Sequence, residues 1–149
     1  MTGTSLDPRT PVLVGYGQVN QHTDPVDAVE PVALMAQAAR AAADPRVLAA
    51  VDAIRVVNLL SWRYRDPGLA LAELIGADNP ATRYTGIGGN VPQTLVNQAC
   101  LDVMAGRTGV VLLAGAETWR TRKQLKTNGI RPDWTKQDES VPVPPGAED

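Results

Sequence analysis

The chain has 149 residues, 44% of them hydrophobic and 20% charged, which is enough for one domain with a core of its own. Its 14 basic and 16 acidic residues leave a formal net charge of -2, with no basic footprint for nucleic acid or an anionic membrane surface. A single cysteine, Cys100, and a single histidine, His22, exclude an internal disulfide and a cysteine-based zinc site, and no metal is expected.

Residues 1–11 are polar and carry no basic segment followed by an apolar run, unlike a signal peptide. No stretch approaches the ~18 apolar residues that predict a membrane span. A cytoplasmic location is therefore expected. Residues 12–14, Val-Leu-Val, predict a short buried strand running into Gly15-Tyr16-Gly17. Pro31 suits a first helical position, and the Ala-rich stretch 32–43 predicts a helix that stops before Asp44-Pro45.

Residues 51–60 are β-branched and apolar, a second strand. Asp66-Pro67 reads as N-cap and first helical proline for a helix over 68–75, with Gly76 as its stop. A third strand is predicted over 82–87, a helix over 91–105 and a fourth strand over 110–114. The order β-α-β-α-β-α-β predicts an α/β fold with a mainly parallel sheet and right-handed crossovers. Residues 1–118 would form this core. Residues 119–140 show no clear period, and 141–149, with three prolines, read as a linker or tail.

The glycine-rich turn Gly86-Ile87-Gly88-Gly89-Asn90 follows a strand and opens a helix. Backbone N–H groups there suit an anion or oxyanion, and glycines allow close approach; a tight strand-to-helix turn without a ligand is the simpler reading of this segment alone. Gly15-Tyr16-Gly17-Gln18-Val19-Asn20 half resembles a dinucleotide fingerprint, but its third glycine is Asn20 and the following strand ends in Val57-Asn58 rather than an acid. Cys100 shares an apolar helical face with Val96, Ala99 and Val103, which predicts a buried thiol. His22 reads as a solvated loop residue. Glu117 stands beyond the carboxyl end of the fourth strand, either facing a ligand or capping the backbone. Arg120, Arg122, Lys123 and Lys126 read as a solvated run, or a surface for an anionic ligand or partner.

Three stretches, residues 11–15, 85–90 and 109–118, carry a resemblance to thiolases. Pro11-Val12-Leu13-Val14-Gly15 resembles their first strand. Leu112-Leu113-Ala114-Gly115-Ala116-Glu117-Thr118 is similar to the family's strand ending in a glycine pair before Glu-Ser. The opening Asp7–Gln18 looks most like actinobacterial acetyl-CoA acetyltransferase and sterol-carrier-protein-type thiolase-like proteins. The resemblance covers about residues 8–145. It implies a three-layer thiolase-like N-terminal half, incomplete in its sheet. It also implies acyltransferase chemistry of lipid metabolism in which a cysteine is acylated from a coenzyme A thioester.

Counted from Gly106 and Gly115, the cysteine's place falls on Gly89, so no catalytic nucleophile is expected. The resemblance further implies substrate contacts at Gly88, Gly89, Asn90 and Glu117. It implies an acyl-CoA ligand and no resident cofactor. The activating histidine and the second cysteine belong to the family's C-terminal half. The truncated chain would then be a fragment or subunit. Its companion would be a second copy, pairing through residues 82–87, or a complementary C-terminal chain. A non-covalent thioester-binding module and a structural partner subunit are the alternatives.

Overall fold

Four of the five helices in this computed structural model, which describes residues 6–146, start on a proline within their first two positions. Proline suits that place because its missing N–H would have no partner there and its φ is already helical. The elements are α1 (Pro31–Ala42), α2 (Pro45–Ala49), β1 (Ala53–Val56), α3 (Pro67–Ile75), β2 (Ala81–Tyr84), α4 (Val91–Met104), β3 (Val111–Ala114) and α5 (Trp119–Thr127). Asp44 caps α2 by accepting from Arg46 N–H, and Asp66 caps α3 by accepting from Leu69 N–H. Gly76 closes α3 with φ +76°, a left-handed conformation that glycine adopts without steric cost.

The sheet is parallel, in the order β2-β1-β3. The chain steps from β1 to β2 on one side, then back across β1 to β3. Right-handed crossovers in opposite directions put α3 and α4 on opposite faces of the sheet. The side chains agree. Ile54 and Val56 point to one face and are fully buried in one cluster with Val32, Met35, Leu71, Ile75 and Tyr84. Arg55, between them, points to the other face and pairs with Asp102 of α4. The result is an open, three-layer α/β fold, helix on sheet on helix, as the alternation of elements predicts.

The two faces differ. Alanines on α1 and α3 let these helices pack closely against each other, and α3 against the sheet. Across the sheet, α4 buries only Leu95 and leaves Val96, Leu101 and Met104 at 43%, 59% and 51% exposure.

Three sequence expectations are corrected. Residues 12–14 form no strand; Val12, Leu13 and Val14 are 74%, 83% and 68% exposed. A strand exists only through a ladder partner, and the described sheet pairs β1, β2 and β3 alone. The following turn is instead held against α1, where a Cβ on Gly15 or Gly17 would overlap the carbonyl oxygens of Ala42 and Ala38. Within the β-α-β-α-β-α-β order the first strand is therefore missing. Second, α5 occupies the stretch read as having no period, held by buried Leu125. Third, the stretch read as a linker or tail from 141 onward is tied to the core at Val141, and the segment before it is packed. Trp134 is buried and meets Trp62 edge-to-face at 5.2 Å, Trp62 Nε1 donates to Thr135 O at 2.7 Å, and Arg65 Nε donates to Val141 O at 2.8 Å.

Candidate functional site

The carboxyl ends of the three strands gather three loops, 57–61, 85–90 and 115–118. In open α/β sheets this is where ligands bind. The central loop is stitched to both neighbours. Asn58 N donates to Thr85 Oγ1 and its Nδ2 to Thr85 O, both at 3.0 Å, and Leu59 N donates to Tyr84 Oη at 3.0 Å. On the other side Leu60 N donates to Glu117 Oε1, and Thr118 N donates to Ser61 Oγ at 3.0 Å. Burial pushes the Tyr84 hydroxyl above its ordinary range, so it stays a neutral donor and acceptor.

Glu117 thus caps a backbone N–H of the central loop, one of the two roles its position allows. It also lines a cleft of about 250 Å³ with Gly115, Ala116 and the turn 17–20. That turn, the half-fingerprint of the sequence, faces the end of β3 across this cleft. Gly88, Gly89 and Asn90 lie outside it.

At the head of α4 two donor positions of the first turn are spent. Val91 N–H is taken by Gly88 O at 3.1 Å, Pro92 has none, and Asn90 makes no side-chain cap. None of Gly86, Gly88 and Gly89 has a positive φ. A Cβ added at Gly86 or Gly89 would meet nothing within 4 Å, whereas one at Gly88 would touch Asn90 Oδ1 at 3.1 Å and Val91 Cγ2 at 3.2 Å. Neither backbone conformation nor internal packing therefore requires glycine at 86 or 89.

The remaining candidates are placed as follows. His22 is exposed, as a loop residue should be. Cys100 is half-buried rather than buried, because the α4 face on which it lies is only partly covered. Within the basic run, Arg122 is structural: its guanidinium lies 5.0 Å over the Trp62 ring and its Nε donates to Ser61 O. Arg120, Lys123 and Lys126 are exposed. Among the described residues no group of three or more His, Cys, Asp or Glu side chains is placed to hold a metal ion, and no helix is long and apolar enough to cross a membrane.

No family model matches the chain, and no curated protein matches it. Among solved structures, the chain is similar to a monomeric SCP2-thiolase-like protein type 1 from Mycobacterium smegmatis, with 34% identity and a TM-score of 0.62. The match covers 75% of this chain. The fold is thiolase-like. The chain spans only 24% of that protein's length, so the likeness concerns one segment of a thiolase-like architecture.

Sequence reasoning missed a polar cluster at the opposite end of this thiolase-like sheet, formed by Asp52, Arg55, Arg83, Asp102 and Arg107. The signal was available: Arg55 is the one charge inside the apolar run 53–57, and a buried charge needs a partner.

Proposed function

We propose that the chain is an N-terminal segment or subunit of a thiolase-like acyltransferase system, cytoplasmic and without covalent acyl transfer of its own. One observation carries the reading. At Gly89, the head of α4, there is space for a side chain but no side chain to acylate. Covalent transfer from a thioester needs a thiolate beside donors that hold the developing oxyanion. The chain's thiol, Cys100, lies well along α4, about 16 Å from Gly89 at ~1.5 Å per residue.

The test is thiolysis of acetoacetyl-CoA with free CoA, followed by loss of the enolate absorbance. The expected result is no turnover above blank. Turnover that survives Cys100→Ala overturns the reading.

A second reading is favoured by the glycines themselves. Gly86 and Gly89 are not required by the chain's own geometry, so glycine there suits close approach of something external. An acyl-CoA thioester, held non-covalently near Gly88, Gly89 and Asn90 with Glu117 bracing the neighbouring loop, would use that space. Gly89→Val should then lower acyl-CoA affinity at least tenfold, about 1.4 kcal/mol, with an unchanged circular dichroism spectrum. Equal affinity in both proteins would place the ligand elsewhere. Absence of binding in the unmodified chain would leave the structural subunit, docked on a second copy or a complementary chain.

A further inference from the structure

Three guanidinium groups line one cleft on the α4 face of the sheet, which runs from the middle of β1 and β2 toward their amino ends, away from Glu117 and the glycine turn. Arg55 comes from β1, Arg83 from β2 and Arg107 from the turn after α4; with Asp52, Asp102 and Thr108 they line a cleft of about 270 Å³. Arg55 and Arg83 are register partners on adjacent parallel strands, so their side chains leave the same face side by side. Like charges in that relation repel unless something offsets them.

The carboxylates present do not suffice. Asp102 is shared: Arg55 pairs with its Oδ2, and Arg107 Nε donates to its Oδ1 at 2.7 Å. Asp52 is already engaged by Thr108 Oγ1, Gly109 N–H and Val110 N–H. Arg83 has no ion pair among the described residues. Arg55 is only 4% exposed, and its Nη1 is buried without a hydrogen-bond partner. Three cations against two anions leave the cleft with a net positive charge and unused planar donors.

We infer that this cleft binds a phosphate-type oxyanion. Guanidinium forks match the oxygens of such an anion in pairs, and they do so more strongly than neutral donors. A cleft of about 270 Å³ falls just below the range of pockets that enclose drug-sized ligands, which suits a single phosphoryl group. The site is independent of the thioester reading, since its lining shares no residue with it.

Titration calorimetry of the full chain with inorganic phosphate at constant ionic strength tests the inference, with acetate and chloride as comparison anions. Saturable one-to-one binding of phosphate is expected, tighter than that of acetate. Arg83 is exposed on an edge strand, so Arg83→Ala should fold normally and weaken binding at least tenfold. Arg83→Lys should fall between, because an ammonium keeps the charge but loses the fork. Arg107→Ala provides a second, independent loss, and the exposed Arg120→Ala on α5 should change nothing. Absence of saturable binding overturns the site. So does acetate binding as tightly as phosphate, equal weakening by Arg120→Ala, or affinity unchanged in both Arg83→Ala and Arg107→Ala.

Discussion

The side chain of Gln137 holds Asp66 by both sides of its backbone. Its Oε1 accepts from Asp66 N–H at 2.8 Å and its Nε2 donates to Asp66 O at 2.7 Å, across 71 residues of sequence. The Asp66 side chain is occupied in turn: Oδ1 caps α3 through Leu69 N–H, and Oδ2 accepts from Thr82 Oγ1 on β2. Glu30 is a second clasp, accepting from Tyr64 Oη at 2.7 Å and from Thr135 N–H and Oγ1 at 3.0 and 2.7 Å.

Removing the first clasp should therefore loosen the whole C-terminal segment. Gln137→Ala leaves the Asp66 N–H without its partner and the Asp66 carbonyl with Ala70 N–H alone, and is expected to cost about 1–3 kcal/mol. Urea unfolding measures it. An unchanged midpoint would mean that residues 128–146 do not belong to the cooperative unit.

The two sheet faces predict unequal costs for the same substitution. Leu71, fully buried on the α3 side, should lose about 2–5 kcal/mol on change to Ala. Leu101 on α4, 59% exposed, should lose well under 1 kcal/mol. Parallel thermal melts decide this, and similar shifts would show that α4 is covered by a partner in solution.

Acid should destabilise the amino end of the sheet. Burial acts to raise the Asp52 carboxyl, but hydrogen bonds from Thr108, Gly109 and Val110 outweigh it and the net shift is downward. The hydrogen bond from Arg107, then that from Arg55, holds Asp102 below its ordinary range against a smaller opposing effect of burial. A carboxyl depressed in the folded state stabilises fully above its unfolded pKa, ordinarily 3.8, and that contribution is lost as pH falls through the lower folded value. Stability should thus drop below about pH 4, and Asp52→Asn should flatten the drop. An equally steep loss in the variant would assign the acid sensitivity elsewhere.

A cysteine placed at Gly89 should fold without penalty, since a Cβ there meets no neighbour within 4 Å. At a helix N-terminus its thiolate is favoured. In Gly89→Cys the new thiol is expected to react with a thiol reagent faster than the half-buried Cys100. Equal rates would show that the helix end exerts no field on residue 89.

Both β2 and β3 are edges of the described sheet, with backbone donors and acceptors on their outer sides. Apolar Val12, Leu13 and Val14 are exposed as well. The chain alone is expected to associate as its concentration rises, read by light scattering. A monodisperse monomer across the range, with a cooperative melt, would refute this.

Local chemistry made much of this fold legible in the sequence. Asp66-Pro67 and Gly76 mark α3 at both ends, and the apolar runs at 51–60 and 110–114 contain β1 and β3. Partnership was not legible. Val12-Leu13-Val14 has the composition of a strand, yet composition cannot supply a ladder. The glycine turn was visible as a turn, and Pro92 announces its own missing N–H, whereas the loss of the Val91 N–H to Gly88 O depends on how the turn folds. The arginine cleft depends on register between β1 and β2, and the Glu30 and Gln137 clasps span long separations. Periodicity carries no information about either.

Every buried member of the main apolar cluster, from Val32 to Tyr84, comes from one unbroken stretch of chain, and β3 adds only partly buried side chains such as Leu112 and Ala114. A polypeptide emerging from the ribosome would expose its whole main cluster before β3 emerged. Condensation of that stretch closes comparatively short loops, which favours fast, early collapse. The later segments, α4 through the Trp134 region, would then dock onto a nucleus already made.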